Sequence, residues 1–325
     1  MTRRRPHVLF LEQHDWPQDT SDGIVSHLEL LIWGPLQSTG MATHTALYVE
    51  RLERETGRPW GDVVSRYIAD RKPDLVMPFS VDAETPYGRE QYEEVARTCR
   101  RCGIPVVMIC TDPYQTDRVE LANSLLDHVD YHLPISPLPI PGVLDHDRYL
   151  YLWTPADPRY YYRSTERKDI PLSFIGERMG RPERAWIEPC LKRAGVPLLV
   201  GGGRGEERLS TARYAQIQRT SQMGIDVFSH PASPQLKGRV FELTACHTLL
   251  LEMANAAIEL FFEPDVDYIS VHSPEELVSK CRFYLDHEGD RTRIAHAGWR
   301  ATMGRYTPGH FWSHVFDRVL GRGWR

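Results

Sequence analysis

Lys237, Arg239 and Glu242 are the residues whose types and spacing most clearly suggest chemistry. They lie in SHPASPQLKGRVFELTAC, Ser229 to Cys246, where a loop containing Pro231 and Pro234 meets a helical pattern. Leu236, Val240, Leu243 and Thr244 recur at helical spacing, so a helix is expected to begin between Leu236 and Gly238. Cations in a first turn oppose the free N–H groups and the positive end of the helix dipole. Together with those amides they make an anion site, most often for phosphate. Glu242 follows Arg239 on the same face, where a carboxylate can hold a ribose hydroxyl. His230, at the loop edge, is within reach of a phosphate or a sugar. The alternative is a surface ion pair between Arg239 and Glu242 beside a solvated Lys237.

The elements that must position these residues read as alternating strands and helices. Residues 7–11, HVLFL, form a buried first strand. A polar loop follows, residues 12–23, and then a helical pattern at Ile24, Leu28, Leu31 and Ile32. A polar loop after a first parallel strand lies at the carboxyl edge of the sheet, where open α/β folds bind ligands. His14, Asp15, Asp22 and His27 are therefore candidates for acceptor binding or a general base; the alternative is turn, cap and exposed positions. Further strands are expected at 43–49, 74–79, 105–110 and 129–133, and helices at 60–70, 91–102 and 118–126. Asp112 ends one strand at Thr111-Asp112-Pro113, as a turn residue or as a second carboxylate facing the site.

Residues 163–169, RSTERKD, carry no core pattern and mark a domain boundary. Beyond it, strands are expected at 171–175, 196–200, 225–229 and 248–251. Helices are expected at 184–194, 214–220, 256–262, 274–286 and 291–303, and a last one from Pro308. Ser273, Pro274 and Glu276 spell a capping box. Gly201-Gly202-Gly203-Arg204-Gly205 lacks the spacing of the dinucleotide fingerprint. Gly202 and Gly203 either let a base or ribose lie against the backbone or make a turn. The alternation predicts two Rossmann-like parallel-sheet α/β domains facing a cleft. Their expected bounds are 1–162 and 163–306, with a C-terminal helix at 307–325.

The second half resembles the spore-maturation-type glycosyltransferase-like proteins, which have the GT-B fold. The resemblance runs from Phe228 to about Trp312 on K-G-R-x-F-E, A-C, L-L-x-E, L-F-F-E-P, S-P-E-E-L and a helix with A-x-x-G before a Tyr-Thr turn. A G-I-P-V-V…D-P segment near Asp112 and the 156–161 stretch resemble the family as well. His247 and Asp265-Val266 stand where the family has glycine. Related retaining enzymes carry two Glu residues eight positions apart, and the earlier position is Pro234 in this chain.

The resemblance implies a glycosyltransferase whose first domain binds the acceptor and whose second binds a nucleotide-diphosphate sugar. Lys237, Arg239, Glu242, Gly202, Gly203 and His230 would bind the donor, and the final helix would cross back to the first domain. An inverting mechanism would take its base from His14, Asp15 or Asp112; a retaining one would not need it.

Composition narrows the remaining classes. A net charge of −5 gives no global basic field for nucleic acid. No apolar run suits a membrane span or a secretion signal, so a cytoplasmic protein is expected. The Cys99/Cys102 pair lies in a helical pattern without a second pair, and the six cysteines are read as reduced. Asp145-His146-Asp147 and Asp265-Val266-Asp267 have D-x-D spacing, but neither clearly follows a strand. No metal or cofactor is expected beyond the sugar nucleotide as co-substrate. The acceptor stays open among glycan, small metabolite, protein and a hydroxymethylated DNA base. Competing readings are a non-catalytic nucleotide-sugar-binding scaffold, or a GT-B epimerase or phosphorylase.

Overall fold

The structure, a computed structural model, describes residues 4–12, 23, 25–79, 89–110, 115–176, 182–202, 209–226 and 236–321. Contacts divide the chain into two compact units. The first comprises Met1–Asp19, Ser26–Trp153 and Pro308–Arg325, and the second Thr20–Val25 and Thr154–Thr307. The division after Trp153 falls upstream of the charged 163–169 stretch.

In the first unit, β1 (His7–Glu12) pairs in parallel with β2 (Thr43–Tyr48) on one side and β3 (Leu75–Pro78) on the other. Parallel bridges Val76–Val106 and Phe79–Ile109 continue to β4 (Val107–Ile109), which pairs with β5 (Tyr131–Leu133). The spatial order is β2-β1-β3-β4-β5. A π-helical turn, Glu29–Trp33, leads into α1 (Gly34–Thr39). Next come α2 (Val49–Thr56), α3 (Trp60–Arg71), α4 (Arg89–Cys102) and α5 (Thr116–Ser124). Alternation along β1 turns Leu9 and Leu11 toward Trp60, Val64 and Ile68 of α3 and Val95 and Cys99 of α4. Each such fully buried side chain contributes about 1.5–3 kcal/mol.

The second unit repeats that order. Its strands are β6 (Ile170–Ile175), β7 (Leu199–Gly201), β8 (Ser221–Asp226), β9 (Leu249–Met253) and β10 (Ile269–Val271). All pair in parallel, in the order β7-β6-β8-β9-β10. Its helices are α6 (Pro182–Ala185), α7 (Ile187–Arg193), α8 (Thr211–Thr220), α9 (Gly238–Ala245), α10 (Ala256–Glu259), α11 (Pro274–Asp286) and α12 (Glu288–Arg305). Leu172, Phe174, Met223, Ile225, Leu249 and Leu251 pack with Ile187, Leu277, Cys281 and Ile294. The last helix among the described residues, α13 (Pro308–Val319), is part of the first unit. There Trp312 meets Phe10 of β1 edge-on, with ring centroids 6.1 Å apart.

Several elements depart from the expectations. The helix expected over 184–194 breaks at Trp186 into α6 and α7. Pro189 has no N–H to return to the Ala185 carbonyl, so it suits the first turn of a new helix. Strand β8 begins at Ser221, earlier than expected, because Ser221 Oγ finds buried partners in Ser173 Oγ at 2.8 Å and the Ile217 carbonyl. Strand β10 adds a fifth strand where no strand is expected from the sequence pattern. The cap of α11 follows its sequence: Ser273 Oγ accepts from Glu276 N–H at 3.1 Å. Glu276 reaches one residue further back than a capping box requires, accepting from His272 N–H at 2.8 Å.

Candidate functional site

In a parallel sheet with this strand order, ligands bind where neighbouring connections leave in opposite directions. In the second unit that point lies between the carboxyl ends of β6 and β8, at Gly176 and Asp226. Helix α9 begins beside it. Lys237 is its N-cap residue, half-buried, and no acidic residue occupies the first turn. The first turn therefore supplies no carboxylate of its own against the positive end of the dipole.

Arg239 turns inward. Its Nη1 donates to Asp226 Oδ1 at 2.5 Å, and its Nε to the Tyr214 hydroxyl at 3.2 Å. The guanidinium lies against Gly176, whose φ is +145°; a methyl group there would stand 2.5 Å from Arg239 Nη2. Only glycine fits both constraints. Tyr214 O–H donates to Glu242 Oε2 at 3.2 Å, and Gln218 Nε2 donates to the same oxygen at 3.0 Å. Asp226, Arg239, Tyr214, Glu242 and Gln218 thus form one hydrogen-bonded chain from the sheet edge into α8. Asp226 and Glu242 are both buried. Burial pushes the Glu242 carboxyl above its usual range, against the lowering effects of Gln218, Arg239 and Tyr214. Asp226 Oδ2 has no partner among the described residues.

This arrangement differs from a surface pair between Arg239 and Glu242. Both side chains face the interior, and Tyr214 stands between them. Gly202 follows β7 with φ +79°, beside Gly176. His14, Asp15, Asp22, Asp112, Gly203 and His230 lie outside the described residues. His27 is exposed. Both D-x-D stretches make turn contacts: Asp145 accepts from Asp147 N–H, and Asp267 from Glu263 N–H. Among the described residues, no cluster of His, Cys, Asp and Glu is arranged to hold a metal ion.

Asp226, Tyr214, Gln218 and Glu12 carry no motif that marks them in the sequence. Asp226 and Tyr214 complete the chain described above, and an acid closing an apolar strand was the available signal for Asp226. In the first unit, Glu12 ends β1 as a buried carboxylate accepting from Ser26 Oγ at 3.0 Å. Burial pushes its carboxyl up to about 7.

Two glycine departures have a backbone explanation. His247 has φ +56° and Asp265 has φ +59°, both in the left-handed region that glycine enters without strain.

Residues 178–317 match the family model described as glycosyl transferase-like. No curated protein matches. Among solved structures, HepE of Anabaena in complex with UDP-glucose aligns over 96% of this chain and 98% of its own, at 10% identity and a TM-score of 0.66. A glycosyltransferase from Rickettsia africae aligns over 99% and 100%, at 11% identity and a TM-score of 0.65. An α1,3-fucosyltransferase aligns over 100% and 93%, at 9% identity and a TM-score of 0.53. No helix among the described residues is long and apolar enough to cross a membrane. With two Rossmann-like parallel-sheet units and these neighbours, the chain has the GT-B fold.

Proposed function

We propose that this chain is a glycosyltransferase that moves a hexosyl or pentosyl group from a nucleotide-diphosphate sugar to an acceptor hydroxyl. The observation that carries the reading is the polar chain from Asp226 to Gln218 beside the start of α9, at the β6/β8 switch point and inside the segment that matches the family model. HepE, similar in fold, holds UDP-glucose, which supports a sugar nucleotide as donor.

As the bond to the anomeric carbon breaks, negative charge grows on the leaving diphosphate. The first-turn amides of α9 and Lys237 stabilise that charge without reorganising. Arg239 adds positive charge but is held by Asp226, so it fixes the helix start rather than following the ligand. Glu242 orders Tyr214 and Gln218 and offers its other carboxylate oxygen to the ribose. Gly202 and Gly203 bring backbone against the base or ribose, and His230 serves the phosphate or donor sugar. His14, Asp15 or Asp112 takes the acceptor proton if the reaction inverts. The cationic helix start makes a divalent ion unnecessary in this reading.

The finer assignment is to the spore-maturation-type glycosyltransferases, as a cytoplasmic enzyme. Its domains are 1–162 for the acceptor and 163–306 for the donor, completed by the helix at 307–325. The acceptor is a glycan, metabolite, protein or modified DNA base.

The test is release of nucleoside diphosphate from UDP-, GDP-, ADP-, CDP- and TDP-sugars, with and without Mg²⁺. One nucleotide should be turned over, with no need for metal. Tight binding of a nucleotide with no release or transfer from any sugar form would replace the enzyme by a binding scaffold.

A further inference from the structure

The second unit contains a pocket at the opposite edge of its sheet from the donor site. Arg167 and Lys168 precede β6, Gln222 is the second residue of β8, and His247 precedes β9. The remaining wall is a face of α12: Glu288, Arg291, Thr292 and Ala295. These residues surround about 370 Å³, toward the lower end of the volumes of small-molecule sites. Because every strand is parallel, the carboxyl ends with Gly176 and Asp226 lie a full strand length away, roughly 20 Å.

The lining has a definite chemistry. Three cations, Arg167, Lys168 and Arg291, face one carboxylate, Glu288. Lys168 Nζ is spent on the wall. It donates to the carbonyls of Arg219, Ser221 and Cys246 at 2.9, 3.0 and 3.3 Å and to Thr248 Oγ1 at 2.8 Å. Arg291 Nη1 likewise donates to the carbonyls of Tyr284 and Leu285 at 2.5 and 3.2 Å. Both therefore contribute fixed positive charge, while Arg167, exposed at the rim, is available to make a direct contact.

His247 stands at the wall in its left-handed conformation, with Nε2 3.3 Å from His296 Nδ1. Burial, with Arg163, Lys168 and His296 nearby, lowers its imidazole to about 4, so it is neutral at pH 7 and can accept as well as donate. Glu288, Thr292 and Gln222, whose Nε2 also donates to the Lys168 carbonyl at 3.2 Å, supply acceptors and donors suited to hydroxyl groups.

A site with an anionic end and a hydroxyl-binding wall suits a phosphorylated polyol. We infer that the pocket binds a phosphomonoester of about hexose size, at a place separate from the donor site. Its phosphate would lie toward Arg167 and Arg291, and its hydroxyls toward Glu288, Gln222 and Thr292.

Calorimetric titration of the full chain with glucose 6-phosphate, glucose and UDP tests this. Glucose 6-phosphate should bind at least about tenfold more tightly than glucose. Arg167→Glu reverses a charge at the rim, and Thr292→Trp fills the cavity from an exposed helix position. Each should weaken glucose 6-phosphate by about tenfold or more while leaving the melting temperature unchanged. Equal affinity for glucose and its phosphate would overturn the inference. So would unchanged affinity in both folded variants, or displacement of the phosphate ester by UDP.

Discussion

Arg239 and Asp226 form a buried ion pair, Nη1 to Oδ1 at 2.5 Å, that joins the start of α9 to the end of β8. The side chains are 13% and 1% exposed, so little water screens them. Removing one partner leaves the other charge buried and unmatched. Arg239→Ala and Asp226→Asn should each destabilise the protein by about 3–5 kcal/mol. The double variant should cost clearly less than the two together, since the residues share one interaction. Urea unfolding of the four proteins measures the cycle.

Glu12 sets a pH dependence in the first unit. Burial raises its carboxyl to about 7 in the folded chain, from an ordinary 4.5. Between these values the folded protein holds more protons than the unfolded one, so stability falls as pH rises through the window. The loss is complete above the folded value and amounts to about 3 kcal/mol. Glu12→Gln removes the titration. Melting curves from pH 4.5 to 8 should therefore show the variant gaining on the wild type as pH rises.

At His247 the backbone cost can be separated from the ring contacts. His247→Ala and His247→Gly both remove the imidazole, but only glycine relieves φ +56°. The glycine variant should exceed the alanine variant by about 1–2 kcal/mol in unfolding free energy. Equal stabilities would mean that the left-handed conformation costs nothing at this position.

Gly298 marks a close approach within the second unit. A methyl group there would overlap the Asp267 carbonyl oxygen, which belongs to backbone and cannot rotate away. Gly298→Ala should cost about 1–3 kcal/mol as overpacking, despite alanine's better helix propensity. Thermal unfolding should show the drop. Gly304→Ala, on the same helix with nothing near its added methyl, is the control and should be neutral or stabilising.

Most of the parallel architecture was legible because apolar runs such as HVLFL and LLLEM, punctuated by Pro and Gly, leave few alternatives to buried strands. Residues 221–224 were harder, because Ser-Gln-Met-Gly has no strand pattern of its own. They are held by Ser173, by the Ile217 carbonyl and by the close packing of Leu243 on Gly224. Sequence spacing put Arg239 at the start of α9 but not the direction of its side chain. That direction depends on Asp226, thirteen residues earlier on another element, and such a pairing emerges only once the sheet order is known. Glu12 has the sequence signature of the first residue of a polar loop, because its buried partner, Ser26, lies fourteen residues later in the chain.

In the proposed reaction a sugar nucleotide binds through the start of α9. The most direct test is calorimetric titration of UDP, GDP, ADP, CDP and TDP into the wild type and Lys237→Ala, without added metal. One nucleotide should bind the wild type, and Lys237→Ala should weaken it by about tenfold. If none of the five binds, or if the nucleotide that binds is held equally by the variant, the donor site is not at the start of α9.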